Sequence, residues 1–363
     1  RGESLASGTF ELREVPEMSK INPFAPNSPV HPGMFVGRGA ELIKLESSLV
    51  QTKAGNPSHF MITGERGIGK SSILNYIKHV AEGMEGLKDT QVSFLVVDTD
   101  IDPNTTQLGL VKKIELGLNR ALGKTESARA FLTSSWDFLK RVEAHGVKIK
   151  PDERSENEEL LLEEFSYSLA DIVERVCSED APSLFTAHYD GIIFLIDEAD
   201  KAAKALSLGS FFKLLTERLR RRGCDRVMFG IAGLPEIRAV LADSHLSSLR
   251  LFEEVVLGRL SSAEANLVID VGLARANSLN VEQTSITDEA KSALAYYSEG
   301  YPHFIQQFAF SAFEVDTDNI INIDDVIGGA FNKRGAIELI GERYYRDNFY
   351  NKIQALLSRK SGN

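Results

Sequence analysis

Between residue 34 and about residue 260, short uninterrupted apolar runs alternate with segments whose apolar positions recur every three or four residues. The runs predict strands at 58–63 (SHFMIT), 92–97 (VSFLVV), 191–196 (GIIFLI), 226–232 (RVMFGIA) and 253–258 (EEVVLG). Runs this apolar are those of strands covered on both faces, so they predict a mostly parallel sheet in a three-layer α/β/α core. Ile73, Leu74, Ile77 and Val80 share one face of a helix after the first strand, with Gly83 and Gly86 ending it. A helical insertion is expected at about 104–188. Its last long helix carries a stripe from Leu161 to Val176, capped by Ser155 with Glu158. After 260 the pattern becomes helical. Ser261 with Glu264 forms a capping box, Thr287 caps a helix ended by Gly300, and Pro302 opens the next. A last helical segment is expected over about 323–357. The expected organisation is an arm (1–33), a core (34–260), a helical lid (261–312) and a helical C-terminal extension (313–363). In the arm, Pro23, Pro26, Pro29 and Pro32 recur every third residue, as in an extended strap lying on its own domain or on a neighbour.

Composition narrows the function. The 363 residues are 43% hydrophobic and 26% charged, which excludes whole-chain disorder. Forty-one basic against 52 acidic residues give a net charge of −11, unsuited to coating nucleic acid. The longest central apolar run is too short for a bilayer. Cys177 and Cys224, the two cysteines, form no CxxC pair, which fits a reducing compartment and argues against a zinc site. The chain starts at Arg1 with no signal-type segment following, so a cytoplasmic location is expected.

The chemistry concentrates in GERGIGKS, which comprises Gly64, Glu65, Arg66, Gly67, Ile68, Gly69, Lys70 and Ser71, with Ser72 following. This is a G-x-x-x-x-G-K-[ST] loop between a strand and a helix. Glycines let backbone N–H groups turn inward on phosphate oxygens, and the helix N-terminus adds partial positive charge. Lys70 supplies a full charge to the β- and γ-phosphates, and Ser71 a hydroxyl to Mg²⁺. The strand IIFLID ends in Asp197, placed for the Mg²⁺ shell, followed by Glu198, placed as general base for water. ATP and Mg²⁺ are the expected ligands, with Lys70 and Glu198 catalytic. Other nucleotide enzymes are excluded. The Asn332–Lys333 pair continues Arg-Gly rather than as NKxD, and LSLGS at 206–210 follows the IIFLIDE strand instead of preceding it. Neither HExxH nor GxSxG occurs.

These motifs resemble the AAA+ ATPases, in the branch shared by ORC/Cdc6-like initiators and STAND signalling ATPases. FVGRGAEL (35–42) is similar to that branch's box before the phosphate loop, which implies that Val36 and Arg38 lie near adenine. IAGLPEIRAVL (231–241) resembles the segment bearing sensor 1, and GYPHFIQQF (300–308) a lid-helix start, with Tyr301 and Pro302 closing over the nucleotide. Two departures imply a slow switch. Ala232–Gly233 replaces the usual polar sensor 1, and His303 and Gln306 stand where initiators carry a sensor 2 arginine. The resemblance also implies oligomers with an arginine finger, Arg250 first and Arg259 second. The Arg218–Arg226 cluster and residues 331–363, where seven basic and three acidic residues give +4, offer local grips for DNA. Three outputs fit. One is a switch controlling assembly of a partner complex, in bacterial defence or regulation. The others are a DNA-loading ATPase and a non-hydrolysing scaffold.

Overall fold

The computed structural model describes residues 20–29, 35–84, 90–146 and 154–344. The core runs α1 (Gly39–Lys53), β1 (His59–Gly64), α2 (Lys70–Ala81), β2 (Phe94–Asp100), α3 (Gln107–Leu122), α4 (Glu126–Ser135), α5 (Asp137–Gly146), α6 (Arg154–Val176) and α7 (Ala181–Phe185). It continues through β3 (Gly191–Asp197), α8 (Leu208–Arg221), β4 (Val227–Gly233), α9 (Ile237–Ser244) and β5 (Phe252–Leu257). The five strands pair in parallel in the order β2-β3-β4-β1-β5. The direction in which successive strands are added therefore reverses beside β1, and the crevice beyond its C-terminal end is where such sheets bind ligands.

Alternation along the strands builds two cores. Ile192, Phe194 and Ile196 of β3 face the core completed by α3, α6 and α8. Ile193 and Leu195 face the other way, toward Leu45 and Leu49 of α1 and Ile73 and Ile77 of α2. The sheet is thus the middle of three layers, and all five strands fall within three residues of their apolar runs.

A third core holds α10 (Ser262–Leu279), α11 (Asp288–Tyr297), α12 (Pro302–Val315), α13 (Ile323–Phe331) and α14 (Ala336–Ile340). Ser261 and Glu264 form the expected capping box, Thr287 caps α11, and Pro302 is the first residue of α12. Two expectations are corrected in this region, and one element was not anticipated. The boundary at 312 falls inside α12, and helices on both sides of it share one core. The helix expected from 323 breaks after Phe331, where Arg334 takes φ 63° and Gly335 follows. A two-residue parallel pair, β6 (Ser285–Ile286) with β7 (Ile320–Ile321), had no sequence signal. Ser155, expected as a cap, is instead the second residue of α6, and Gly86, Pro32 and the chain beyond 344 lie outside what is described. No helix among the described residues is long and apolar enough to cross a membrane.

Candidate functional site

The phosphate loop joins β1 to α2. Gly67 and Gly69 hold φ of 79° and 99°, values that side-chain-bearing residues rarely adopt. Lys70, the first residue of α2, bends back over the loop and donates to the carbonyls of Gly64 and Glu65 at 2.8 and 2.9 Å. Burial pushes its ammonium below the ordinary range, while Asp197 and Asp200 oppose that shift. The next residue, Ser71, donates from Oγ to Asp197 Oδ2 at 2.7 Å. Asp197 comes from the end of β3, so the two motifs, 126 residues apart, meet in space. A hydroxyl and a carboxylate side by side are hard oxygen donors that suit Mg²⁺.

Glu198 follows in a left-handed conformation, φ 55°. Its N–H donates to Asp197 Oδ1 at 2.8 Å, and its carboxylate pairs with Lys201 at 2.6 Å. A non-glycine residue at positive φ costs about 1–3 kcal/mol, and such strain concentrates at functional sites. Asp200, which the sequence reading passed over, accepts from the N–H of Leu234 at 2.9 Å. It thereby occupies the end of β4, the strand on which Ala232–Gly233 offers no polar side chain. A Cβ on Gly233 would stand 2.5 Å from Asp200 Oδ1, so this junction requires glycine. The signal was present as an acid three residues after Asp197, within the same turn.

Arg38 is buried at 6% exposure, with φ 63°. Its guanidinium donates to the carbonyl of Ile68 in the phosphate loop at 2.9 Å, and its backbone N–H donates to Glu264 at 3.0 Å. Burial lowers the Arg38 pKa, with Glu41 and Glu264 opposing. The N–H groups of Arg38 and Ser261 in turn hold the Glu264 carboxyl below its usual range. The carboxylate that caps α10 therefore also fastens the segment before α1. Two more contacts join lid to loop. The N–H of His303 donates to Gly67 O at 3.2 Å, and Tyr301 donates to the Glu65 carboxylate.

These elements enclose one cavity of about 460 Å³ between core and lid. Val36, Arg38, Lys70, Ser71, Ser72, Asp197, Glu198 and Pro302 all line it, as does the loop from Arg66 to Gly69. Asp100, at the end of β2 and opposite Asp197 in register, is a further acidic wall residue. Its lining combines the charged phosphate loop and strand ends with the apolar side chains of Phe35, Val36, Leu260, Val268 and Pro302.

Several expected residues sit elsewhere. Gly64 and Glu65 contribute carbonyls to Lys70 without lining the cavity. Tyr301 does not line the cavity, and its hydroxyl is held by Glu65 and Arg259. Arg259 stacks on the Tyr301 ring at 4.6 Å and pairs with Glu299 at 3.0 Å, so it serves its own lid. Arg250 is exposed and unpaired among the described residues, on the turn entering β5. In the basic cluster, Arg218 and Arg222 are committed to Glu163 of α6, while Arg220 and Arg221 are exposed or nearly so.

A second cavity of about 680 Å³ is lined by Cys177 and Cys224. Burial raises both thiols, that of Cys224 to about 12, so neither is a nucleophile near neutral pH. Among the described residues no group of three His, Cys, Asp or Glu could hold a metal.

Comparison with known proteins agrees with this geometry. A family model described as an AAA ATPase domain matches residues 34–271. The chain is similar to the Aeropyrum pernix ORC2 protein in its ADPNP–ADP complexes, with TM-score 0.52, 15% identity, 87% of this chain covered and 71% of that one. It is also similar to the Thermotoga maritima RuvB Holliday junction branch migration motor, with TM-score 0.45, 17% identity, and 86% and 78% covered. At 15% identity the likeness to the ORC2 protein is one of fold. No curated protein matches the chain.

Proposed function

This chain belongs to the AAA ATPase domain family, and on that premise we propose that it is a slow, Mg²⁺-dependent ATP switch whose nucleotide state controls assembly. The observation that supports this most is the convergence of Lys70, Ser71, Asp197 and Glu198 on a cavity that the lid completes. Lys70 would exchange its loop carbonyls for β- and γ-phosphate oxygens. Ser71 and Asp197 would hold Mg²⁺, which supplies positive charge against the phosphates. Glu198 would take the proton from the attacking water. It must first part from Lys201, and β4 ends without a hydroxyl or amide to orient that water, which supports slow turnover.

Because lid residues touch Gly67 and Glu65 directly, a phosphate that reshapes the loop also changes the lid's footing. The exposed Arg250 is the side chain available to complete a neighbour's site, which favours assembly between copies or with a partner. DNA loading has less support, since Arg218 and Arg222 are neutralised within the chain.

Titration calorimetry with MgATP and MgADP tests the site. Lys70→Ala should lose binding at least a hundredfold, and Glu198→Gln should keep binding while turnover stops. Mass photometry of Glu198→Gln with ATP should show a larger species than with ADP. Wild-type affinity in Lys70→Ala would contradict the assignment, and identical masses would remove the assembly role.

A further inference from the structure

The family match ends at residue 271, yet the chain beyond it returns to the phosphate loop. The return begins at the break after α13, where Arg334 takes φ 63° and Gly335 follows. A Cβ on Gly335 would stand 2.6 Å from the carbonyl oxygen of Ala330, so this turn requires glycine. Beyond α14, two residues fasten the chain to α12. Arg343 donates to Oε1 of the buried Gln307 at 3.1 Å. The Tyr344 ring packs on the third core, with its centroid 4.9 Å from that of His303 and 5.4 Å from that of Phe304.

This fastening brings Tyr344 against Gly67. A Cβ on Gly67 would stand 2.8 Å from Tyr344 Oη and 3.3 Å from the Cβ of His303. The His303 N–H also donates to Gly67 O. Tyr344 does not line the cavity, so it touches the loop without taking ligand space. The loop is thus gripped at neighbouring residues, Gly67 by Tyr344 and His303, and Ile68 by Arg38.

Resting on the nucleotide reading above, we infer that Tyr344 is a positioning residue for the phosphates, a ring that holds Gly67 at its positive φ before any phosphate arrives. Glycine has more backbone freedom to lose than any other residue, and the loop must lose it when its N–H groups converge on phosphate. A ring already wedged against Gly67 removes part of that loss beforehand, and the difference appears as affinity. The ring is itself held by His303 and Phe304, which makes it a fixed stop. Linkage runs both ways, so phosphate in the loop favours the docked Tyr344 by the same factor. The segment after the lid thereby registers whether the loop is filled.

The test uses the full chain and two ligands that share the phosphate chain. Mg-ATP and Mg-tripolyphosphate are titrated calorimetrically into wild type, Tyr344→Phe, Tyr344→Leu and Tyr344→Ala, and denaturation curves record the stability of each. Affinity should fall about tenfold for both ligands alike in Tyr344→Leu and Tyr344→Ala, and stay within about threefold in Tyr344→Phe, which keeps the ring. Leucine still fills the contact with the third core, so that variant decides the matter where alanine fails to fold. Wild-type affinity in folded Tyr344→Leu overturns the inference, as does a loss for Mg-ATP that Mg-tripolyphosphate does not share. A loss in Tyr344→Phe as large as in Tyr344→Leu also overturns it, since the ring would not then be the stop. A wild type that binds neither ligand defeats the nucleotide reading itself, which separates that failure from this one.

Discussion

Replacing Arg38 is the sharpest probe of how the segment before α1 prepares the phosphate loop. Its buried guanidinium reaches Ile68 O at 2.9 Å, and Glu41 lies 3.7 Å away. A hydrogen bond from a charged group contributes about 1.5–3 kcal/mol. Ile68 precedes Gly69 and Lys70, so its carbonyl fixes the turn on which the loop N–H groups depend. If the loop must be reordered before it can bind, that loss appears in affinity as a roughly 10–150-fold rise in Kd. Arg38→Lys isolates the geometry, because lysine keeps the charge but lacks the planar fork, and at a buried fork the exchange is not conservative. Arg38→Ala removes both. Calorimetric titration with MgADP and a slowly hydrolysed ATP analogue should show both variants weakened within that range, with Arg38→Ala the weaker. Urea denaturation run alongside reports the folding cost. A variant that loses about 2 kcal/mol of stability yet binds nucleotide with wild-type affinity would refute the reasoning, since Arg38 would then support the fold alone.

Further outcomes follow from single features. Gly233→Ala forces a Cβ against Asp200 and should cost about 1–3 kcal/mol, read as a lowered Tm; an unchanged Tm would show that the junction relaxes freely. His59 is half-buried on β1, accepts the Phe229 N–H at 3.1 Å, and has its pKa lowered to about 4 by desolvation. The unfolded chain, with an ordinary histidine near 6.5, binds the proton first as pH falls. Stability is therefore greatest above pH 6.5 and declines toward pH 4, by about 3 kcal/mol in total. Urea midpoints at pH 7 and pH 4.5 should diverge less in His59→Asn, and an equal divergence would assign the pH effect to other groups.

How far the sequence carried this picture depends on how local each signal is. The strands were legible because doubly covered strands leave uninterrupted apolar runs, and the caps because Ser261, Thr287 and Pro302 act within one turn. Lys70, Ser71, Asp197 and Glu198 were legible because their chemistry dictates residue types at fixed spacing. What escaped depends on partners far along the chain. The β6–β7 pair spans two residues on each side and forms only because the lid core brings its ends together. The helix break at 332–335 was masked by apolar residues continuing beyond it. Arg259 looked available for a neighbour until Glu299 and Tyr301 were seen to hold it. The proline spacing foretold a strap, but not that Pro26 and Pro29 line the cavity.

In the proposed switch, Glu264 gives lid motion a definite threshold. The same carboxylate seals the first turn of α10 through Ser261 and holds the backbone N–H of Arg38. Swinging the lid away cannot be a smooth drift, because that bond is either made or broken. At about 1.5–3 kcal/mol for a charge-assisted bond, this pin alone favours the closed arrangement by roughly 10- to 150-fold. An opening signal, wherever it originates, has to supply at least that much before the lid is released, so small disturbances at the mouth leave the population of open molecules almost unchanged.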